Sequence, residues 1–534
     1  MVERARQHGS WRPLTLVDRL QRTVAVHGDR EALIADDERL TWSEVLDASR
    51  QIASGLLALG VAPGDRVALW LPNRVEWPLC WLAAAHLGAL TVPVNTRYKA
   101  AEAGYLLGHA TPRVLVMLDR WLGIDYRALL DEACEQHGAP RPPHVVVIGE
   151  PWQGTISFAQ LQRAGADVED AELDARRDAV VPQDPTIIVY TSGTTGFPKG
   201  AVHSHAILRN EYAIADWMGH DERTRLLGHM PFFHVAGGFT GLLPALITGG
   251  AVVLMERWDA GRALQLIERE RVSSIGGIPT HYVDLLAHPA LDATDTSSLQ
   301  VGWIGGATIA PDVVRGAREQ LGVRTILPVY GMTETTSTTT YPRPGDPDEI
   351  VLSGRGVPIS DFELRVVDPA TRAERAPGEE GEIEVRGHLV MQGYYRDPEA
   401  TAKVLDRDGW FRTGDLGVLG DDGYLAVTGR RSDMFIVGGS NAYPAEIERL
   451  LAAHPGVRQV AVVGVPDARL GEVGFAFVQL HPEADLTEEE LVRYARSQMS
   501  DFKVPRRVAF VAQLPLTSTG KVERHTLREL AAAR

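Results

Sequence analysis

The sequence predicts an α/β protein with a large N-terminal domain of covered, mixed or parallel sheets, a small β-barrel-like subdomain and a small α+β C-terminal domain. From residue 40 onward, amphipathic helical segments alternate with short β-branched runs, which is typical of crossover units on a covered sheet. At about residue 342 this alternation gives way to Pro/Gly turns and short isolated β runs. The length of 534 residues suffices for several structural units.

The alternation is clearest in the first half of the chain. Thr41 to Glu44 form a capping box that predicts the start of a helix, and Gly60 is predicted to end it. Further helices are predicted at residues 81–87, 101–109 and 260–270, and strands at residues 66–71, 91–94, 114–118, 145–148, 186–190, 251–254 and 274–278. The polar stretch at residues 166–184 is predicted to be a surface connector.

The second half holds the predicted β subdomain and the C-terminal domain. The subdomain covers about residues 342–430, with strands predicted at 363–367 and 381–385. Beyond it the sequence predicts a helix at 445–453, strands at 460–465 and 475–480, and a helix that begins at the capping box Thr487 to Glu490. We place the boundary near Ser432, which gives domains of residues 1–431 and 432–534.

Composition restricts the class of partner. The net charge of −16 argues against a nucleic-acid partner, because phosphate backbones require a basic surface. Cys80 and Cys134 are the two cysteines, so we expect no disulfide framework, and a reducing cytoplasm is the expected location. No run approaches the length of about 18 apolar residues that a membrane-spanning helix needs. The sequence leaves the oligomeric state open, with a homodimer among the alternatives.

A loop rich in glycine and hydroxyl side chains follows the strand predicted at residues 186–190. It runs Thr191-Ser192-Gly193-Thr194-Thr195-Gly196 and continues through Phe197-Pro198 to Lys199 and Gly200. Glycines let successive N–H groups turn toward an anion, and a lysine adds a positive charge. The loop is not a Walker A motif, because Phe197-Pro198 separate Gly196 from Lys199. The pattern indicates a triphosphate cradle, and a flexible surface turn is the alternative.

Two later segments carry groups suited to a nucleotide. In Tyr330-Gly331-Met332-Thr333-Glu334 we predict that Tyr330 stacks on a purine, Thr333 contacts phosphate and Glu334 is a hard oxygen ligand for Mg²⁺. Asp415 is suited to accept both ribose hydroxyls, and Arg430 to reach the ribose or the α-phosphate. The structural alternatives are a buried strand end, a turn aspartate and an exposed hinge arginine.

Other segments indicate space for adenine, for an organic acid and for a thiol cofactor. The small residues Gly305, Gly306 and Ala307 leave room for a flat base, with close packing of helix and strand as the alternative. The predicted wall of an apolar acid pocket consists of His234, Val235, Gly238, Trp303 and Met332, of which Trp303 is predicted to shorten it. Gly438-Gly439 would let an extended thiol arm pass close to backbone, and Lys521 follows a Gly-containing turn near the chain end.

Taken together, these motifs resemble, in order, the acyl-CoA synthetases of the adenylate-forming superfamily, over about residues 15–530. The resemblance implies a mobile C-terminal domain and the use of ATP, Mg²⁺ and coenzyme A. It implies that a carboxylate is adenylated with release of pyrophosphate, and that the thiol of coenzyme A then displaces AMP. The roles it implies are phosphate binding by Thr191, Ser192, Thr194, Thr195 and Lys199, adenine packing by Tyr330, phosphate contact by Thr333, Mg²⁺ binding by Glu334 and Thr194, ribose binding by Asp415 and Arg430, lining of the coenzyme A channel by Gly438 and Gly439, and catalysis of adenylation by Lys521.

One position departs from the family pattern, and two other functions compete. Ser432 stands at the hinge position where the family commonly has Asp or Lys, which leaves the rate of domain rotation open. The competing functions are an adenylating enzyme that loads a carrier protein and a non-catalytic nucleotide-binding homologue. Intact Lys199, Glu334, Asp415 and Lys521 argue against the latter. The predicted substrate is a medium-chain fatty, alicyclic or aryl acid.

Overall fold

The computed structural model describes residues 13–191, 198–307, 309–430, 433–437, 440–467, 469–499, 501–517 and 521–533. Its helices are α1 (Leu16–His27), α2 (Trp42–Ala58), α3 (Glu76–His86), α4 (Ala100–Ala110), α5 (Tyr126–Glu135), α6 (Phe158–Ala164), α7 (Asp170–Ala179), α8 (Ile207–Trp217), α9 (Val235–Gly238), α10 (Leu243–Thr248), α11 (Ala260–Glu270), α12 (Pro279–Leu286), α13 (Pro311–Glu319), α14 (Asp348–Ser353), α15 (Pro398–Val404), α16 (Pro444–Ala452), α17 (Glu488–Gln498) and α18 (Arg524–Ala532). Short 3-10 turns lie at Leu291–Ala293 and Thr333–Thr335.

The strands are β1 (Glu31–Ile34), β2 (Arg39–Thr41), β3 (Arg66–Trp70), β4 (Leu90–Pro93), β5 (Val114–Leu118), β6 (Arg120–Trp121), β7 (Ile124–Asp125), β8 (His144–Ile148), β9 (Ile156–Ser157), β10 (Pro185–Thr191), β11 (Lys199–Ser204), β12 (Arg225–Gly228), β13 (Ala251–Leu254), β14 (Ser274–Gly277), β15 (Val301–Gly305), β16 (Thr325–Val329), β17 (Thr340–Tyr341), β18 (Val357–Pro358), β19 (Glu363–Val367), β20 (Glu380–Arg386), β21 (Gly393–Tyr394), β22 (Phe411–Leu419), β23 (Leu425–Arg430), β24 (Phe435–Val437), β25 (Ser440–Ala442), β26 (Val457–Asp467), β27 (Gly471–Leu480) and β28 (Arg507–Phe510).

Two large sheets form most of the N-terminal part, where the sequence predicts covered, mixed or parallel sheets. One has eight strands in the order β21-β11-β10-β4-β3-β5-β8-β9, and the other has seven in the order β16-β15-β14-β12-β13-β1-β2. Most neighbours are parallel, while β11 is antiparallel to both β10 and β21, and β2 is antiparallel to β1. The predicted α/β class with covered, mixed sheets is therefore confirmed.

Two smaller sheets follow in chain order, and β6 with β7 and β17 with β18 form two-stranded antiparallel sheets. Strands β19, β20, β22 and β23 form a four-stranded antiparallel sheet, which is the small β subdomain. In the C-terminal part, β24 to β27 form an antiparallel sheet, and β28 joins β27 in parallel. Phe435, Phe475 and Phe477 lie in a separate apolar core with helices α16 to α18, as expected for a compact α+β unit.

The predicted surface connector lies mostly at the surface, but it contains a helix that the sequence analysis did not predict. Residues 166–184 contain the helix α7, although their composition is polar. Leu173 is buried, and Arg50 of α2 donates to both Asp170 and Asp174 at 3.0 and 2.8 Å. The helix is therefore held by one apolar anchor and by ion pairs to a distant helix, which local composition does not reveal.

Within the described residues, no helix combines the length and apolarity needed to cross a membrane.

A fully buried carboxyl group on α8 lets us predict a pH effect on stability. Neither carboxyl oxygen of Glu211 has a partner among the described residues, and burial raises its pKa well above the ordinary value. Because the folded state then binds more protons than the unfolded state, the free energy of unfolding falls as pH rises above about 4.5, by up to about 1.4 kcal/mol per pH unit. Glu211→Gln removes this dependence, so thermal unfolding at pH 5 to 8 should show the variant gaining stability over the parent as pH rises. Parallel pH profiles of the two proteins would contradict the prediction.

Candidate active site

A cavity of about 1400 Å³ lies where the two large sheets, the β subdomain and the C-terminal part meet. Strands β12, β14, β15 and β16 of the seven-stranded sheet are parallel, so their carboxyl ends lie at one edge and the loops that follow them open into this space. The charged and aromatic side chains that line the cavity include Lys199, Trp303, Glu334, Asp415, Arg430 and Lys521. The structure thus brings residues from widely separated motifs to one cavity.

Glu334 lies on the 3-10 turn that follows β16. Its side chain is buried, with 8% of the residue exposed, and one carboxylate oxygen, Oε1, accepts a hydrogen bond of 2.9 Å from the Tyr394 hydroxyl. The other oxygen has no protein partner among the described residues. The Glu334 carbonyl accepts from the Met391 N–H at 2.8 Å, which fixes the turn. Thr333 lines the same cavity and is buried as well.

Lys199 is the first residue of β11, directly after the glycine-rich loop. Its ammonium nitrogen lies 5.2 Å from the centre of the Tyr394 ring, in cation–π geometry. Tyr394 is placed there because β21 pairs with β11, with Tyr394 opposite Ala201. Tyr394 therefore contacts both Lys199 and Glu334. Sequence reasoning missed this residue, and the only available signal was the Tyr394-Tyr395 pair after Gly393.

Asp415 and Tyr330 form a hydrogen-bonded group with Arg430. The Tyr330 hydroxyl donates to Asp415 Oδ2, and Arg430 Nε donates to Oδ1, both at 2.9 Å. The antiparallel register of β22 and β23 places Asp415 opposite Arg430, which explains the second contact. Burial raises the pKa of Asp415, and the charge of Arg430 offsets part of that rise. The carboxylate oxygens retain further lone pairs for ribose hydroxyls.

Lys521 approaches the cavity from the C-terminal part of the chain. Its Cε lies 3.8 Å from the place that a Cβ on Gly306 would occupy, and Gly306 has a φ of +80°, which favours glycine. The Thr517 N–H donates to the Lys521 carbonyl at 2.6 Å, and the Lys521 N–H donates to Thr517 Oγ1 at 3.0 Å. Burial, followed by the charge of Arg430, lowers the pKa of Lys521, while Asp415 and Glu334 oppose that shift. The lysine therefore lies within electrostatic reach of all three charged groups.

Most of the predicted acid pocket lines the cavity, with one exception. His234, Val235, Trp303 and Met332 line it. Burial, followed by the charge of Lys521, lowers the pKa of His234 to about 3, so its imidazole is neutral at pH 7. Gly238 lies elsewhere: a Cβ there would come within 2.6 Å of the Phe232 carbonyl oxygen, so this glycine serves close backbone packing.

The small residues after Trp303 differ in their surroundings. Gly305 and Gly306 line the cavity, whereas Ala307 is exposed beyond it. A Cβ at Gly305 would lie 2.2 Å from Val329 Cγ1, so packing between strands also requires that glycine. Thr191 and Lys199 are in place at the two ends of the glycine-rich loop. The predictions for Ser192, Gly193, Thr194, Thr195, Gly196, Ser432, Gly438 and Gly439 lie outside the described residues.

The charged side chains that line the cavity fit a nucleoside triphosphate with its magnesium ion. The cationic side chains that line the cavity include Lys199, Arg430 and Lys521, and the carboxylates include Glu334 and Asp415. In the described part of the chain, no group of three or more His, Cys, Asp or Glu side chains is arranged to hold a metal ion. A single free carboxylate oxygen on Glu334 suits Mg²⁺ that is held mainly by phosphates, whereas a protein-only metal cage would need more ligands.

Comparison with known proteins matches nearly the whole chain to the family that the sequence motifs resemble. Residues 20–395 match the AMP-binding enzyme family, and residues 446–521 match the AMP-binding enzyme C-terminal domain. The chain is 42% identical to the (7a-methyl-1,5-dioxo-octahydro-1H-inden-4-yl)propanoyl:CoA ligase of Mycobacterium tuberculosis, over 96% of this chain and 98% of that protein. It is 34% identical to a mitochondrial medium-chain acyl-CoA ligase of Danio rerio, over 96% and 87% of the two chains.

A solved structure extends the similarity to three dimensions. The crystal structure of the anthranilate CoA ligase AuaEII in complex with anthranoyl-AMP superimposes with a TM-score of 0.88 at 28% identity, over 99% of this chain and all of that one (100%). The resemblance drawn from the motifs is thereby confirmed, and so is the fold class with its large N-terminal and small C-terminal domains. The chain therefore belongs to the adenylate-forming family of AMP-binding enzymes, in which it is an acid–thiol ligase.

Proposed function

We propose that this ligase joins an alicyclic carboxylic acid to coenzyme A in two steps within the cavity. In the first step, a carboxylate oxygen of the acid bonds to the α-phosphorus of ATP, and pyrophosphate leaves. In the second step, the thiol sulfur bonds to the acyl carbon, AMP leaves and the thiol proton is released. The observation that supports this best is the convergence of Lys521, Glu334, Asp415 and Arg430 on one cavity.

Each charged residue has a distinct role in this proposal. Lys521 stabilises the negative charge that develops on the carboxylate and on the α-phosphate as the new bond forms, which in a site shielded from water is worth several kcal/mol. Asp415, oriented by Tyr330 and Arg430, accepts the ribose hydroxyls. Lys199 holds the phosphates that leave as pyrophosphate, together with Thr191, Thr333 and the loop residues Ser192 to Gly196.

Glu334 and Thr194 would hold Mg²⁺, which neutralises phosphate charge when bound. We further propose that Tyr330 packs on adenine beside Gly305, Gly306 and Ala307. The Gly438-Gly439 segment is proposed to line the path of coenzyme A, with residues 1–431 and 432–534 as the two domains. A cytoplasmic setting fits the free thiols of Cys80 and Cys134.

The choice of an alicyclic acid rests on the pocket and on the relatives. Trp303 is only 8% exposed and occupies the cavity wall, which limits the length of a linear chain. Among the relatives, one is named for a fused-ring propanoyl group, one for medium-chain acids and one for anthranilate. A ring-bearing acid with a short carboxylate arm fits the wall at Trp303 and the fused-ring relative, which has the highest identity of the three.

A screen of carboxylic acids tests the proposal. We expect pyrophosphate release from ATP with alicyclic acids, and acyl-CoA formation when coenzyme A is added. Transfer to a carrier protein without transfer to coenzyme A would favour the competing enzyme function. Absence of pyrophosphate exchange with every acid would favour the non-catalytic homologue and would contradict the proposal.

The contacts of Tyr394 predict a further loss of activity. Tyr394→Phe keeps the ring beside Lys199 but removes the hydrogen bond to Glu334, so we expect adenylation kcat/KM to fall about tenfold, since a hydrogen bond to a charged group is worth about 1.5–3 kcal/mol. The apparent Mg²⁺ requirement should rise, and calorimetry should show weaker binding of MgATP. The control is Tyr395→Phe, because that ring contacts His109 and Arg396 instead. Equal effects of the two substitutions would contradict a specific role for Tyr394.

A further inference from the structure

Trp303 presents a hydrogen-bond donor in an otherwise apolar part of the cavity. The indole belongs to β15 and is 8% exposed. It belongs to an apolar cluster with Met230 and Ile278, against which Val329 and Met332 pack, and all four of these residues also line the cavity. The Nε1–H of Trp303 has no acceptor among the described residues, whereas the indoles of Trp217 and Trp258 donate to Ile359 and Asp284.

The position of this indole is built into the sheet. Gly276 on β14 pairs with Trp303 on β15, so both project to the same face. A Cβ on Gly276 would lie 1.9 Å from Trp303 Nε1 and from Cε2, so the indole lies directly against the glycine backbone. Any other residue at position 276 would displace the ring. The nitrogen edge of the indole therefore occupies the space that a side chain at position 276 would fill.

Covering the Trp303 N–H with a ligand that offers no acceptor costs free energy, whereas a ligand that carries an acceptor avoids this cost. Leaving such a group unpaired costs about 1–3 kcal/mol, and an ordered water that a hydrocarbon displaces would be lost without replacement. We infer that the acid substrate carries a hydrogen-bond acceptor, such as a ring ketone, on its body and that Trp303 donates to it. This inference rests on the proposed ligase function and adds the polar class of the acid.

Paired substrates test the inference. Cyclohexylpropanoate is compared with its ring-ketone counterparts, with the oxygen at each ring position, and a fused bicyclic acid is compared with its ketones in the same way. The readouts are pyrophosphate release and acyl-CoA formation. For the wild-type chain we expect at least one ketone in the panel to exceed its hydrocarbon partner about tenfold or more in kcat/KM.

Two variants and one control assign the effect to the indole. Trp303→Phe keeps an aromatic ring but removes the N–H, so the ketone-to-hydrocarbon ratio should fall about tenfold toward one. Gly276→Ala leaves Trp303 chemically intact but moves it, and the same ratio should fall. Trp258→Phe is the control, since that indole already donates to Asp284, and the ratio should stay at the wild-type value.

The outcomes separate this inference from the proposed function. If hydrocarbon acids form acyl-CoA at least as well as every ketone, or if Trp303→Phe leaves the ratio unchanged, the inference is overturned while the ligase function stands. If no acid releases pyrophosphate or forms a thioester, the proposed function itself is contradicted, and the inference falls with it. A ketone preference that is lost in Trp303→Phe and kept in Trp258→Phe supports it.

Discussion

Replacing Lys521 with alanine is expected to lower the rate of acyl-adenylate formation by about 10²–10³-fold while sparing thioester formation from preformed acyl-adenylate. The size follows from the removal of one preorganised charge that acts on the developing transition state. The selectivity follows from the placement of Lys521, which lies against Gly306 and within electrostatic reach of Glu334, Asp415 and His234. No bond to the α-phosphorus has to be made in the second step.

The two half-reactions can be measured separately. Pyrophosphate exchange with ATP and acid reports the first step, and acyl-CoA production from synthetic acyl-adenylate and coenzyme A reports the second. Lys503→Ala is a matched control in the same domain, since that lysine pairs with Glu446. Equal loss of both steps in a folded Lys521→Ala protein would remove the assignment of this lysine to adenylation.

Replacing Glu334 with glutamine is expected to be comparably severe for the first step. The substitution keeps the shape of the side chain and an oxygen able to accept from Tyr394, but it removes the negative charge that would hold Mg²⁺. We expect adenylation kcat/KM to fall about 10²-fold or more, with a raised Mg²⁺ requirement. MgATP binding by calorimetry should weaken in parallel.

A charge-matched control separates the site from general electrostatics. Glu349→Gln removes one negative charge from an exposed position on α14 and should leave adenylation unchanged. If Glu334→Gln binds MgATP with unchanged affinity and retains its Mg²⁺ requirement, the proposed metal role of Glu334 is wrong.

Motifs that are contiguous in sequence were the most predictable part of the site. The glycine-rich loop with Lys199, and the Tyr330 to Glu334 segment, each place several candidate groups within a few residues. Of these, Thr191, Lys199, Thr333 and Glu334 line the cavity. The pairing of Asp415 with Arg430 is nearly as accessible, because a hairpin with a turn at residues 421–423 brings its two strands into register. The alternation of helices and strands likewise predicted covered, mostly parallel sheets, although not their number.

Contacts over long sequence separations were not predictable. The hydrogen bond from Tyr394 to Glu334 joins residues 60 positions apart, and that from Tyr330 to Asp415 joins residues 85 positions apart. Helix α7 was missed for a related reason, since its ion pairs to Arg50 depend on tertiary packing. The packing of Trp303 against Gly276 depends on the register of β14 and β15, which composition does not determine.

Oxygen isotope transfer is the most direct test of whether a carboxylate attacks the α-phosphorus of ATP in this cavity. The acid is supplied with both carboxylate oxygens labelled with ¹⁸O, together with ATP, Mg²⁺ and coenzyme A, and the products are analysed by mass spectrometry. We expect acyl-CoA, pyrophosphate without label, and AMP that carries one ¹⁸O from the acid. Label in inorganic phosphate together with formation of ADP, or AMP without label, would contradict it.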